Sequence, residues 1–280
     1  MNREKESDFR ADLHCHSNCS DGSEDPRVLL RLAVQADLQG LSITDHDTMD
    51  AYTPELFADA ESLGIRLLPG IELSAEQDQV PVHVLGYGYD LKSFSLKNFL
   101  IEMNQRRAER NRAILRKLEQ KKMPMTEAEL LEFAALARQK RTIGRPHIAQ
   151  LMVKKKYVSS PSEAFDKYLK EGASCYAAGI KYTPAEAIAQ IHQAQGKAIL
   201  AHPHFLKGGS FLKKLLSLPF DGLECYYARL SKVQETPWLK IAKERNWIAT
   251  GGSDYHGELK PHIPLGSSWV GEHTFRMLLN

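Results

Sequence analysis

The chain has 280 residues, 42% hydrophobic and 26% charged, with 18 Gly and 13 Pro, an ordinary globular composition that excludes collagen-like, low-complexity and disordered classes. With 37 Lys and Arg against 35 Asp and Glu, the net charge is +2, so the whole molecule is not a polycation. Cys15, Cys19, Cys175 and Cys225 are too few for a disulfide scaffold, the charged start Met1–Asp8 is not a secretory signal, and no apolar run is long enough to span a membrane, so a reducing cytoplasm is the expected compartment.

In chain order, strands are predicted at Phe9–Leu13, Leu41–Thr44, Ile65–Leu68, Val82–Leu85, Ala198–Ala201, Gly222–Cys225 and Trp247–Thr250. Helix starts stand between several of them: Asp25-Pro26, Thr53-Pro54 and Thr183-Pro184 each place an N-cap before a proline at the first helical position, and Thr183 with Glu186 fits a capping box. Repeated β–α units predict a parallel sheet with helices outside it, and seven strands favour closure into a barrel. Residues 100–180 read differently, as helix after helix: one over roughly 96–121, then starts at Thr126, Arg145 and Ser160. The predicted organisation is therefore one α/β domain in two parts, 1–99 and 181–280, with an all-helical insertion over 100–180.

That insertion also concentrates charge. It holds 17 Lys and Arg against 9 Asp and Glu, a net +8, leaving −6 on the remainder. The basic runs are Gln105–Arg112, Arg138–Arg141 and Lys154–Lys156. They are either solvated helix faces or a positive segment that draws an anionic substrate toward an acidic body.

The histidines mark strand ends. His14 and His16 close the first strand, His46 follows the second, Glu72 follows the third, His83 lies in the fourth, His202 and His204 follow a later one, and Asp254 and His256 follow the last. In parallel α/β folds ligands bind beyond the carboxyl ends of the strands, so at least five strand ends deliver imidazole or carboxylate to one rim. Residues i and i+2 on a strand face the same way, which lets His14 and His16 chelate one ion. Imidazole mixed with carboxylate suits zinc, manganese or iron(II). Alternation points Cys15 away from both histidines, into packing; Cys19 is a core or loop residue. Asp12 and Asp45 are either partners behind the ligands or packing residues. A lone buried histidine is ordinarily a hydrogen-bonded core residue, which keeps His192, His262 and His273 out of the set.

Asp12–Ser17, Asp21-Gly22, Thr44–Asp47, Gly70–Glu72, His83–Tyr87, Gly144–His147, Ala201–Pro203 and Gly252–His256 together resemble the polymerase and histidinol phosphatase (PHP) family, in its order and over nearly the whole chain. The helical segment carrying Gly144-Arg-Pro-His147 is similar to the branch of nucleoside 3′,5′-bisphosphate phosphatases and 5′→3′ oligoribonucleotide exonucleases. The resemblance implies a distorted seven-stranded β/α barrel with three divalent metal ions, manganese preferred over iron or zinc. By matching positions, His14, His16, Glu72 and Asp254 would hold the first, Glu72, His83 and His202 the second, and Asp21, His46 and His256 the third. Arg145 offers a planar fork for phosphate and His147 a further donor, at a helix start set by Pro146. His204 stands where close relatives lead one to expect arginine, and is assigned with Arg145 to phosphate.

The chemistry so implied is hydrolysis of a phosphate ester by a metal-bound hydroxide, with Glu72, Asp254, His204 and Arg145 as the catalytic set. The substrate is a 3′,5′-nucleoside bisphosphate or a short 5′-phosphorylated single-stranded RNA, with no membrane and no obligate protein partner. A histidinol-phosphate-type phosphatase, an amidohydrolase-like hydrolase and a non-enzymatic metal-binding accessory module are the competing readings.

Overall fold

The computed structural model describes residues 9–136, 143–177 and 182–279. Eight strands are present: β1 (Ala11–Cys15), β2 (Gly40–Ile43), β3 (Arg66–Leu67), β4 (Gly70–Gln77), β5 (Val80–Tyr87), β6 (Lys197–Leu200), β7 (Gly222–Tyr227) and β8 (Ile248–Gly252). They form two sheets, β1-β2-β3 and β4-β5-β6-β7-β8, where the sequence reading expects one seven-stranded barrel. The eighth strand is β4, which the alternation hides because Glu72 and Glu76 interrupt its apolar run. Glu72 therefore lies inside a strand rather than after one.

Nor are the strands all parallel. β4 pairs antiparallel with β5 over its whole length, and β5 pairs antiparallel with β6; β1-β2, β2-β3, β6-β7 and β7-β8 are parallel. The two sheets meet through single bridges past the end of β2 and at the end of β1, His46 to Glu72 and Cys15 to Tyr255. Since β6 pairs only with Val84–Tyr87 of β5, the outer part of the β4–β5 hairpin runs on past that strand.

Ten helices complete the described fold: α1 (Pro26–Gln35), α2 (Pro54–Ser62), α3 (Phe94–Gln120), α4 (Glu127–Leu136), α5 (Arg145–Lys154), α6 (Pro161–Ala164), α7 (Pro184–Gln193), α8 (Gly209–Leu216), α9 (Lys232–Arg245) and α10 (Glu272–Met277). The three predicted caps are in place: Asp25 accepts from Arg27 N–H, Thr53 from Leu56 N–H, and Thr183 from Glu186 N–H, while the Glu186 carboxylate accepts from Thr183 N–H. Helix α3 is 27 residues long, about 40 Å at 1.5 Å per residue. Its first half buries Leu96, Phe99, Leu100 and Met103 against Ile71, Val84 and Ile188. Its second half buries Ile114, Leu115 and Leu118 in a separate core with Leu130, Ile148 and Met152. No helix among the described residues is long and apolar enough to cross a membrane.

Candidate metal centre

Close approach of β1 and β8 begins the site. Gly252 has no side chain to spare: a Cβ there would lie 2.3 Å from His14 N and 2.5 Å from its Cβ. Asp12 then ties the strand ends, accepting from His14, Ser253 and Gly266 N–H at 3.2, 2.9 and 2.8 Å. Asp45 does the same for the loop after β1, accepting from Ser17 N–H and from the Ser17 and Ser20 hydroxyls. That loop folds so tightly that a Cβ on Gly22 would stand 2.1 Å from His16 O, which carries Asp21 back over His16. Both aspartates hold backbone and hydroxyls, not imidazoles. Cys15 points away, its thiol to Ser42 O at 3.3 Å, and Cys19 is buried in the same apolar cluster.

Glu72 sits at the centre. Its Oε2 lies 3.3 Å from His14 Nε2, 3.2 Å from His16 Nε2 and 3.3 Å from His46 Nδ1; its Oε1 lies 2.8 Å from His83 Nδ1 and 3.0 Å from His202 Nε2. Asp254 Oδ1 is 3.5, 3.4 and 3.4 Å from nitrogens of His14, His16 and His256. Asp21 is 3.6, 3.5 and 3.9 Å from nitrogens of His16, His256 and His46. All nine residues that the resemblance implies as ligands are thus brought together. Their compact groupings are His16-Asp21-His46-His256, His14-His16-Glu72 and His46-Glu72-His83, so His46 faces Glu72 as well as Asp21. Two of the nine, His202 and Asp254, have positive φ, 25° and 57°, a left-handed backbone that costs a non-glycine residue on the order of 1–2 kcal/mol.

The donors fit a metal. His14 Nε2, both nitrogens of His16 and His46 Nδ1 are sealed from solvent with no hydrogen-bond partner among the described residues, although a buried polar atom left so costs about 1–3 kcal/mol. Each nonetheless faces a carboxylate oxygen. Two ligands about 2.1 Å from one tetrahedral ion stand about 3.4 Å apart, close to the separations found here. Charge agrees. Burial opposes ionisation of Glu72 and Asp254, but the surrounding imidazoles outweigh it and hold both well below the carboxylate range. Burial also pulls His14 and His16 toward neutrality, yet their carboxylate neighbours keep His14 protonated well above the usual range and His16 up to about 9. Burial wins at His46, pushed down to about 3, and at His256, to about 4.

A cavity of about 210 Å³ opens beside the cluster, lined by Asp21, His46 and His83 and also by Arg106, Arg107, Arg110 and Arg145. Carboxylates and imidazoles that hold cations therefore share one cavity with four guanidiniums, the usual partners of phosphate oxygens.

Residues 12–181 match the PHP domain. The chain belongs to the PHP family. It is 32% identical over 261 residues to the 5′-3′ exoribonuclease Rnm of Escherichia coli K12, covering 91% of this chain and 87% of that protein. It is 28% identical over 250 residues to the 3′,5′-nucleoside bisphosphate phosphatase of Chromobacterium violaceum, covering 88% and 86%. A solved structure from Bifidobacterium adolescentis, described as a metal-dependent phosphoesterase, superposes with a TM-score of 0.85 at 31% identity, covering 96% of this chain and 95% of that one. This PHP chain is a metal-dependent phosphoesterase.

Within the PHP site the remaining expected residues fall in different places. Arg145 lines the cavity; its Nη1 donates to Leu169 O at 3.3 Å and its guanidinium lies 5.7 Å from the centre of the Tyr176 ring. His147 is buried and caps α5: its Nδ1 accepts from Gly144 N–H at 3.1 Å, while its Nε2 has no partner among the described residues. His204 follows His202, its ring 4.5 Å from Tyr227 and 4.1 Å from Phe205. Burial keeps it neutral, its pKa down to about 4.

Other residues were not singled out from sequence. Glu224 is buried on β7, 2.9 Å from His14 Nδ1, and accepts from His202 N–H at 2.7 Å. Since a carboxylate only accepts, it leaves the proton on Nδ1 and turns Nε2 inward. The signal was an acid between Leu223 and Cys225 in an apolar strand. Tyr227 and Lys260 donate to Asp254 Oδ2 at 2.7 and 2.6 Å, leaving Oδ1 for the cluster. Arg107 and Arg110 lie four and seven residues after Met103 and seven and four before Ile114, on the buried stripe of α3. Basic residues at core spacing were the clue that this run is not a solvated face. Arg138–Arg141 lie outside the described residues.

Proposed function

We propose that this phosphoesterase hydrolyses nucleotide phosphate esters, releasing phosphate from a 3′,5′-nucleoside bisphosphate and mononucleotides stepwise, 5′ to 3′, from short 5′-phosphorylated RNA. The observation that carries this is one cavity lined both by Asp21, His46 and His83 of the imidazole–carboxylate cluster and by four guanidiniums. His14, His16, Asp21, His46, Glu72, His83, His202, Asp254 and His256 would hold up to three divalent ions, with manganese preferred. Such ions lower the pKa of bound water and neutralise charge on phosphoryl oxygens.

The chain's own groups do the rest. Glu224, Tyr227 and Lys260 aim His14 and Asp254 inward. Arg145 binds phosphate through its fork, and His204, held neutral, donates to a phosphoryl oxygen or the departing one. His147 sets the helix end that presents Arg145. Residues 100–180 act as an insertion into the α/β domain that walls the cavity and, through its basic helices, takes a longer RNA strand by its backbone. The names of the Rnm and bisphosphate phosphatase relatives support both substrates.

The test is incubation of manganese-loaded protein with adenosine 3′,5′-bisphosphate and a 5′-phosphorylated RNA trimer, with products resolved by mass spectrometry. Phosphate and AMP from the first and stepwise mononucleotides from the second are expected. Turnover of neither refutes the nucleotide assignment.

A further inference from the structure

Two histidines of the cluster are held from behind. Glu224 fixes His14 through Nδ1, and His256 Nδ1 donates to Asp254 O at 2.9 Å. His46 differs, because its Nδ1 faces Glu72 and its Nε2 faces Asp21. Neither ring nitrogen is left for a partner outside the cluster, so its backbone must aim it. That backbone lies past the end of β2, where a single bridge to Glu72 takes the place of a ladder.

The next residue supplies what the ring lacks. Asp47 is 1% exposed and left-handed, with φ 54°. Its N–H donates to Glu72 O at 3.0 Å and its Oδ1 accepts from Ser74 N–H at 2.7 Å, which ties it to β4. It is tied to α3 as well. Asn104 Nδ2 donates to Asp47 O at 3.2 Å, and Arg107 is ion-paired with the Asp47 carboxylate while donating to Ser74 Oγ at 3.2 Å. Asn104 and Arg107 stand three residues apart on the helix, so they share a face. They follow Met103, which is seated in one core with Ile71 and Val84, so that stretch of α3 is a fixed post. Among the described residues the Asp47 carboxylate pairs with Arg107 and with no imidazole.

We infer that Asp47 is a positioning residue of the metal centre: it clamps the loop of His46 between β4 and α3. Affinity for the ion that His46 helps to hold is then set in part by α3, through Asn104 and Arg107. The inference rests on the proposed ligand set and goes beyond it, since neither Asp47 nor Asn104 is a ligand there. It also gives the left-handed backbone of Asp47 a purpose, because that turn lets one residue bond β4 and α3 at once.

The test is manganese binding to metal-stripped full-length protein without substrate, read from the electron paramagnetic resonance signal of free manganese. His46→Ala identifies the binding step that depends on His46. Asp47→Asn keeps the side chain's shape, and asparagine accepts a left-handed backbone. It is expected to weaken that same step about 10–100-fold, as for loss of a group behind a ligand, and to leave the other steps unchanged. Asn104→Ala removes one neutral hydrogen bond and no charge, and should weaken the step by roughly twofold to tenfold. A loss there reports the clamp itself and not the field of the Asp47 charge. Equal weakening of every step, or no change in either variant, overturns the clamp. So does a metal-free melting temperature that falls without the selective loss, or wild-type binding by His46→Ala. Wild type that binds no manganese overturns the clamp together with the ligand set. Wild type that binds manganese but turns over neither nucleotide fails the nucleotide assignment alone, and these isotherms still decide the clamp. Should Asp47→Asn not fold, Asn104→Ala carries the test.

Discussion

Glu72 faces five imidazoles from four segments of the chain, so the largest single-residue effects are expected there. Glu72→Gln should leave the protein short of metal and lower turnover by on the order of a hundredfold or more, read by elemental analysis and phosphate release. Glu224→Gln removes a partner behind His14 and His202 rather than a ligand, and should weaken metal affinity about 10–100-fold in chelator competition. Arg145→Ala should mainly raise KM. Protonation adds an independent check, because ligands must be deprotonated to bind metal. Without metal, the surrounding carboxylates raise the pKa of His14 and lift that of His16 to about 9, while burial lowers those of His46 and His256. Metal uptake should therefore release protons, measured by titration calorimetry in buffers of different ionisation enthalpy. The same shifts set the stability of the metal-free protein. His46 and His256 have depressed folded pKa values, so the unfolded chain binds more protons and stability falls as pH drops from 6.5 toward 4 and 3. His16 is raised, so its contribution is complete below 6.5 and is lost as pH rises through about 9. Melting temperature against pH should peak between these limits.

At the scale of elements, β1 and β8 matter more than any helix. Gly252→Ala drives a methyl group into the His14 backbone, and should cost several kcal/mol, of the order of other overpacked cores, along with metal binding. Thr183→Ala, which removes the capping box of α7, should cost about 1 kcal/mol in urea unfolding without changing metal content. The contrast between the two variants separates local helix stability from assembly of the centre. The helices were legible because their caps are local chemistry: Asp25, Thr53 and Thr183 each bond an amide two or three residues ahead. Strand β4 was not, because Glu72 faces a buried cluster and its charge reads as a strand's end.

For the whole molecule, α3 is the part that joins two cores. Its ends are apolar anchors and its middle carries Arg107 and Arg110 into the cavity between them. If the exposed basic side chains of the helical part track an RNA backbone, kcat/KM for a 5′-phosphorylated RNA of ten or more nucleotides should fall with salt more steeply than that for the bisphosphate. Each phosphate contacted adds about 0.7 to the logarithmic slope for a single strand. Equal slopes would confine recognition to the cavity.

What the sequence by itself determined is which imidazoles and carboxylates the fold would gather, as candidates to hold metal: His14 and His16 by strand alternation, His46, His202, Asp254 and His256 by following strands. These rest on periods of two residues and on caps of three, which a short window contains. Only the tertiary structure decided that the sheet is split in two, that β4 runs antiparallel to β5, that Glu224 stands behind His14 from 210 residues away, and that Arg107 and Arg110 are half-buried in the wall of the cavity. A charge on a helix has the same local pattern whether it meets water or a second core. Its partner is set by contacts distant in sequence, and those exist only once the chain has closed.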